Sequence, residues 1–170
     1  KIHRTIVVWI GAVLVIALGV INQEKAIEHV DFNTLLLLIG MMVIVGITRK
    51  SGVFEYLAIK SAKMVKGQPV ALLVVLALIT AVASALLDNV TTVLLIVPVT
   101  YALADRLEVS PMPYLLTEII ASNIGGTATL IGDPPNIMIG SATGLGFMDF
   151  IVNMGPPAII VLAVTILILV

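Results

Sequence analysis

The chain has 170 residues, 60% hydrophobic and 11% charged, with a formal net charge of −1 and a mean hydropathy of +1.20. A soluble domain is about 45–50% apolar and about 25% charged, so this composition excludes an ordinary soluble domain and reads as an all-α integral membrane protein. The near-zero charge, with no basic run, excludes a nucleic-acid partner, and the lack of cysteine excludes disulfides and thiolate metal sites.

Crossing the hydrocarbon core takes about 20 helical residues. Long apolar stretches lie at 5–21, 33–48 and 70–87, then at 114–124 continuing into 136–147, and at 155–170. A further stretch, 91–104, is too short to span comfortably. The first stretch is not followed by a small-residue cleavage pattern, so it is read as a span rather than a leader. Residues 52–66, "GVFEYLAIKSAKMVK", mix aromatics, Ile and Met with Glu and three lysines, which suits a helix lying in the headgroup region. The last stretch is still apolar at Val170, and the whole is expected to be one half of a larger transporter.

With the N-terminus in the cytoplasm, cytoplasmic segments hold Lys1, Arg4, Arg49, Lys50, Lys60, Lys63, Lys66 and Arg106, and the opposite side holds Lys25 alone. That asymmetry obeys the positive-inside rule, and the expected location is a plasma or inner membrane with the N-terminus cytoplasmic. The external loop around 22–31 carries Glu24, Glu28 and Asp31. The assignment requires 70–104 to return to the side it entered from, as two full spans or as a re-entrant hairpin. The short second arm and a turn without lysine or arginine favour a hairpin that ends inside the membrane.

Two polar interruptions break the apolar pattern. The first, "LDNVTT", is the turn of that hairpin. Asp88 or Asn89 can cap the helix that follows, and Thr91 and Thr92 can bond to backbone oxygens. The same carboxylate, amide and hydroxyl oxygens are also the ligand set of hard cations. Carbonyls ending the first arm, near Leu86 and Leu87, converge there too. An ionisable group at membrane depth costs at least about 2.5–3.5 kcal/mol, which makes Asp88 a functional candidate.

The second interruption, "ASNIGGTATLIGDPPNIMIG", spans Ala121 to Gly140. Gly125 and Gly126 are expected to end one half-helix. Asp133-Pro134-Pro135 is expected to start the next, with the aspartate as cap. The result is one broken helix over 113–147, offering carbonyls to a cation on one side and N–H groups near Asn136 and Ile137 to an anion on the other. Two discontinuous elements meeting near the midplane mark a transporter site. Asp133 is either a cap or a cation or proton ligand. Glu118 is either a proton carrier or the partner of Arg106 or of a residue elsewhere in the protein. Ser122, Asn123 and Thr127 lie where the first half-helix exposes its carbonyls. His3 and His29 read as solvated, and Pro98 as a kink.

The stretches "LDNVTTVLLIVP" and "EIIASNIGGTATLIGDPPNIMIG" resemble the ion transporter superfamily. The match is to its branch of arsenite-efflux permeases, NhaD-type sodium–proton antiporters and the melanosomal P protein, with dicarboxylate–sodium symporters as more distant relatives. The resemblance implies two inverted repeats, each with a re-entrant hairpin and a broken helix, elevator-type alternating access and a homodimer. Where the symporters carry a Ser-Asn-Thr tip, this chain has Asp88-Asn89-Val90-Thr91. The aspartate suits a cation, or a neutral species exchanged for protons, better than a dicarboxylate.

The sequence therefore leads to one repeat of a secondary active ion transporter. Residues 1–67 form a scaffold, and 68–170 a transport half made of hairpin 70–104, the broken helix and a final span 155–170. Asp88, Asn89, Thr91, Thr92, Ser122, Asn123, Gly125, Gly126, Thr127, Asp133 and Asn136 surround the site. Asp88, Glu118 and Asp133 are the proton-coupling candidates. No cofactor is expected beyond a sodium ion at Asp88, Asn89 and Asn123. The expected partners are the lipid bilayer, the second repeat, a second copy and a small ion. Neither a metal-ligand cluster nor a Ser-His pair suggests an enzyme. The rivals are a sodium-coupled anion symporter and a non-transporting membrane subunit.

Overall fold

A computed structural model of the chain describes residues 3–66 and 68–169. Lys1 of the basic count, Gly67 at the expected domain boundary and Val170 at the end of the last span lie outside the described residues.

The described residues form α1 (Arg4–Ala17), α2 (Gln23–Glu28), α3 (Phe32–Lys50), α4 (Val53–Met64), α5 (Pro69–Leu86), α6 (Asn89–Arg106), α7 (Met112–Thr127), α8 (Pro134–Thr143) and α9 (Phe147–Leu169), with no strand among them. They fall into two compact units, residues 1–33 and residues 34–170. The first holds α1 and α2. The short α2 lies inside the acidic loop, where the hydropathy pattern signals only a connection, and Glu24 in its first turn suits the positive end of a helix.

The second unit is organised by α5, α6 and α7. Proline opens α5 at Pro69, where its missing N–H costs nothing. Asp88 caps α6, its Oδ1 accepting the Thr91 N–H at 2.8 Å. Leu72, Leu73 and Leu76 of early α5 bury against Val99 and Leu103 of late α6 and Tyr114 of early α7. So α5 and α6 run antiparallel across the Leu87–Asp88 turn and form a helical hairpin. Tyr114 Oη donates to Pro69 O at 3.1 Å, tying the start of α7 to the start of α5. Further along, Ala77 and Ala81 of α5 meet Ala121 of α7, with Leu162 and Ile166 of α9 packed on them.

Small residues let α5 and α7 approach to backbone contact, as in helix pairs that cannot rely on hydrophobic contrast. A Cβ added to Gly125 would collide with the carbonyl of Ala81 and come within 2.7 Å of its C and Cα atoms.

Three expectations change. Both hairpin arms are 18 residues long, so the second arm is not short and its length no longer separates a re-entrant hairpin from two spans. Residues 136–147 do not form one half-helix, because Gly144 takes a left-handed φ of 74° and ends α8 at Thr143. The last helix begins at Phe147 rather than 155. Asp149 Oδ2 accepts the Gly146 N–H at 2.8 Å at its start, and the helix carries Pro156 and Pro157 in its interior.

Gly125→Ala should destabilise the purified full-length protein by about 1–3 kcal/mol through overpacking. Ala81→Gly should not rescue it, because the clash is with main chain; thermal unfolding of the single and double variants checks both statements.

Candidate functional site

The tip of the α5–α6 hairpin meets the six-residue connection 128–133 between α7 and α8. Connections of this kind leave main-chain groups without helical partners, and each must be satisfied locally. Ser84 Oγ donates to Ser122 O at 2.6 Å, and Thr129 Oγ1 donates to Ala85 O at 2.5 Å while accepting the Gly132 N–H at 3.1 Å. Asn136 reaches back from α8, its Nδ2 donating to Thr129 O at 2.8 Å and more loosely to Gly126 O at 3.3 Å and Thr127 O at 3.4 Å. At the outer edge Asn89 Nδ2 donates to Asn123 Oδ1 at 3.0 Å.

Two glycines make this meeting close enough. A Cβ on Gly126 would lie 2.7 Å from Gly132 O, and one on Gly132 would lie 2.7 Å from Ser84 O. Gly125 and Gly126 therefore do not end α7, which continues through Thr127. They are points of contact with α5 and with the connection. Ser84, Thr129 and Gly132 escaped the sequence reading. A lone hydroxyl one turn before a hairpin tip was the available signal for Ser84, and a third glycine just before Asp133 was the signal for Gly132.

The acidic residues divide. Asp88 uses Oδ1 as a cap, which matches its structural reading, and leaves Oδ2 over. Asp133 occupies the cap position of α8 without making a cap hydrogen bond. The reason lies in Pro134 and Pro135, which have no N–H, and in Asp133's own carbonyl, which accepts the N–H groups of Asn136 at 3.0 Å and Ile137 at 3.4 Å. The anion-binding N–H groups expected near Asn136 and Ile137 are thus already occupied. What remains is a pair of half-buried carboxylates, on Asp88 and Asp133, close enough to repel one another.

Ser122 is buried and its hydroxyl donates to Ile119 O at 2.9 Å, so it fastens rather than faces outward. Thr127 donates to Ile124 O at 2.7 Å. Asn123 is exposed and lines two open grooves, of about 250 and about 350 Å³. Thr91 is half-buried beside the cap, whereas Thr92 is fully buried with Oγ1 unpartnered. Glu118 lies away from the tip, bonded to Thr100 on α6. Arg106, its suggested partner, lines a groove with Glu55 instead. The tip and connection gather Asp88, Asn89, Asn123, Gly126, Asp133 and Asn136, and they leave Thr92 and Glu118 inside the helix packing.

Two of these helices, α5 and α9, are long and apolar enough to cross a membrane, and large apolar side chains cover much of the outer surface. With the composition, this defines an integral membrane protein. The chain belongs to the CitMHS citrate transporter family, whose profile matches residues 1–170. It is 47% identical over 173 residues to an uncharacterized transporter of Mycobacterium bovis, covering 99% of this chain and 40% of that protein. It is 47% identical over 168 residues to a 46 kDa membrane protein of Mycobacterium leprae, covering 96% of this chain and 39% of that protein. It is 44% identical over 163 residues to the human P protein, covering 90% of this chain and 20% of that protein. The last match agrees with the resemblance carried by the two motifs. The chain spans about 40% of the length of the mycobacterial relatives.

Asn136→Ala removes the donor shared by the carbonyls of Gly126, Thr127 and Thr129 and should cost about 1–3 kcal/mol. Hydrogen exchange of the 128–133 segment in the full-length protein should accelerate, while that of α5 near Leu72 should not.

Proposed function

We propose that this chain is one repeat of a secondary active ion transporter, coupled to a cation or to protons and working by elevator-like alternating access. In this reading α5 and α6 form a re-entrant hairpin, α7 and α8 are the halves of one broken membrane-crossing helix, and residues 68–170 move as the transport half against a scaffold of 1–67. The remainder of the protein supplies an inverted second repeat, and two copies assemble in the bilayer with their N-termini cytoplasmic.

The observation that carries the reading is the pair of carboxylates, Asp88 and Asp133, at the meeting of the hairpin tip and the 128–133 connection, with no N–H left over at the start of α8. Two repelling acids attract a hard cation, whose natural ligands are carboxylate, carboxamide and hydroxyl oxygens. Asn89 and Asn123 supply the carboxamides, and a sodium ion would suit Asp88, Asn89 and Asn123. A carboxylate that takes either a proton or a cation couples the two by exclusion, which is the chemistry of sodium–proton antiport; a neutral arsenite species exchanged for protons fits the same site.

A second reading is favoured by the family, described as citrate transporters. In it the protein is a sodium-coupled anion symporter, the acids hold the coupling cation, and the anion is drawn by that cation rather than by the helix terminus of α8.

Asp88→Asn is a clean charge test, because asparagine caps helices about as well as aspartate. It should abolish ion-coupled flux in proteoliposomes of the full-length protein while the protein remains inserted. Asp133→Asn breaks no hydrogen bond and relieves repulsion, so it should leave thermal stability unchanged or raised and still lose coupling. Sodium, pH, arsenite and citrate gradients varied separately distinguish the two readings, and wild-type flux in Asp88→Asn would reject both.

A further inference from the structure

The acid at the α6–α7 interface is not part of the tip, and its surroundings differ from those of Asp88 and Asp133. Glu118 is 0% exposed. Thr100 Oγ1 donates to its Oε1 at 2.5 Å, and its Oε2 has no hydrogen-bond partner. Enclosure within this unit means that no side chain from the rest of the protein can reach it without moving a helix. Among the described residues no cation is paired with it. Helix α5 has no titratable side chain; α6 offers Tyr101, which is exposed, and Asp105 and Arg106 at its far end; α7 offers Tyr114, whose hydroxyl is spent on Pro69; α9 offers Asp149. On α4 the charged groups are Glu55, Lys60 and Lys63, and Lys60 lies over the Tyr56 ring. An ionised carboxylate with one hydroxyl donor and no counter-charge is far more costly to bury than the neutral acid.

We propose that Glu118 is an internal proton site, closed in this conformation, which loads and unloads only when α6 and α7 part. Resting on the transport reading, this deepens it by adding a second proton position: cargo ion and competing proton meet at the tip, and a further proton, needed for the cycle to proceed, sits within the hairpin's packing. On opening, the carboxyl O–H bond breaks, its electron pair stays on the carboxylate, and the proton passes to water entering the cleft between the helices. Reclosure requires a proton to return. Thr92, fully buried on α6 with an unpartnered Oγ1, is a second polar group in the packing that such an opening would hydrate.

The test uses the full-length protein in proteoliposomes containing a pH-reporting dye, with sodium and citrate gradients imposed in separate series. Glu118→Gln preserves an acceptor for Thr100 but carries no exchangeable carboxyl proton. It should lose gradient-driven proton movement while retaining equilibrium binding of radioactive sodium or citrate at the wild-type level; wild-type proton movement in this variant would overturn the assignment. Infrared spectra of the wild-type protein at neutral pH provide a measurement independent of transport. A protonated carboxyl carbonyl band that shifts in Thr100→Val supports the assignment, and its absence refutes it, whether or not Glu118→Gln folds. If wild-type protein moves no protons under either gradient, the proton-coupled form of the transport reading falls, and the infrared band still decides the state of Glu118.

Discussion

The architecture of the larger unit depends on backbone groups that have left their helices finding partners in an apolar setting. At a hairpin tip and at the connection between α7 and α8, carbonyls and N–H groups are left without partners in their own helices. The chain answers by bringing the two openings together, so that each supplies what the other lacks. Thr129 donates to Ala85 O at the end of α5, Asn136 donates to Thr129 O in the connection and more loosely to the last carbonyls of α7, and Ser84 crosses to α7. That exchange demands near-contact of main chains, which explains why glycine stands at 125, 126 and 132 and alanine at 77, 81 and 121. Small residues, short hydroxyls and one carboxamide are thus parts of a single solution.

Asp88 and Asp133 look alike in sequence, each preceding a helix, yet they differ in structure. Asp88 precedes Asn89-Val90-Thr91, all of which have N–H groups, and it caps. Asp133 precedes two prolines and has nothing to cap. The proline pair that makes position 133 look like a helix start is what removes the donors a capping aspartate needs. Its carboxylate is therefore free for other work, and the helix behind it has lost its usual affinity for anions.

Much of this was legible in residue order. The two breaks stand out because Asp, Asn, Thr, Gly and Pro interrupt runs of Leu, Ile and Val, and the motifs carried the family resemblance. Other features were hidden for identifiable reasons. Ser84 and Thr129 are single hydroxyls among apolar neighbours, indistinguishable from residues bonding within their own helix, as Thr80 and Ser61 do. The glycines at 125 and 126 suggested a helix end because glycine is a weak helix former, but close packing of Gly125 against Ala81 and of Gly126 against Gly132 and Ser84 accompanies their place inside α7. The start of α9 was misplaced because Gly155-Pro156-Pro157 resembles an opening, while the actual opening is an aspartate three residues beyond Gly146. Polar residues at both ends of α6 masked its full length.

The contacts that fasten the tip to the connection run almost entirely through Ser84, Thr129, Gly132 and the side chain of Asn136, and they end on peptide oxygens. Asp88 Oδ2 and the carboxylate of Asp133 take no part in them, while Asn123 adds its Oδ1 as acceptor for Asn89. Fastening and gripping are therefore carried by different atoms. On the transport reading proposed above, descendants of such a sequence are free to exchange one solute for another by altering positions 88 and 133, without having to reinvent the joint that holds those positions in place.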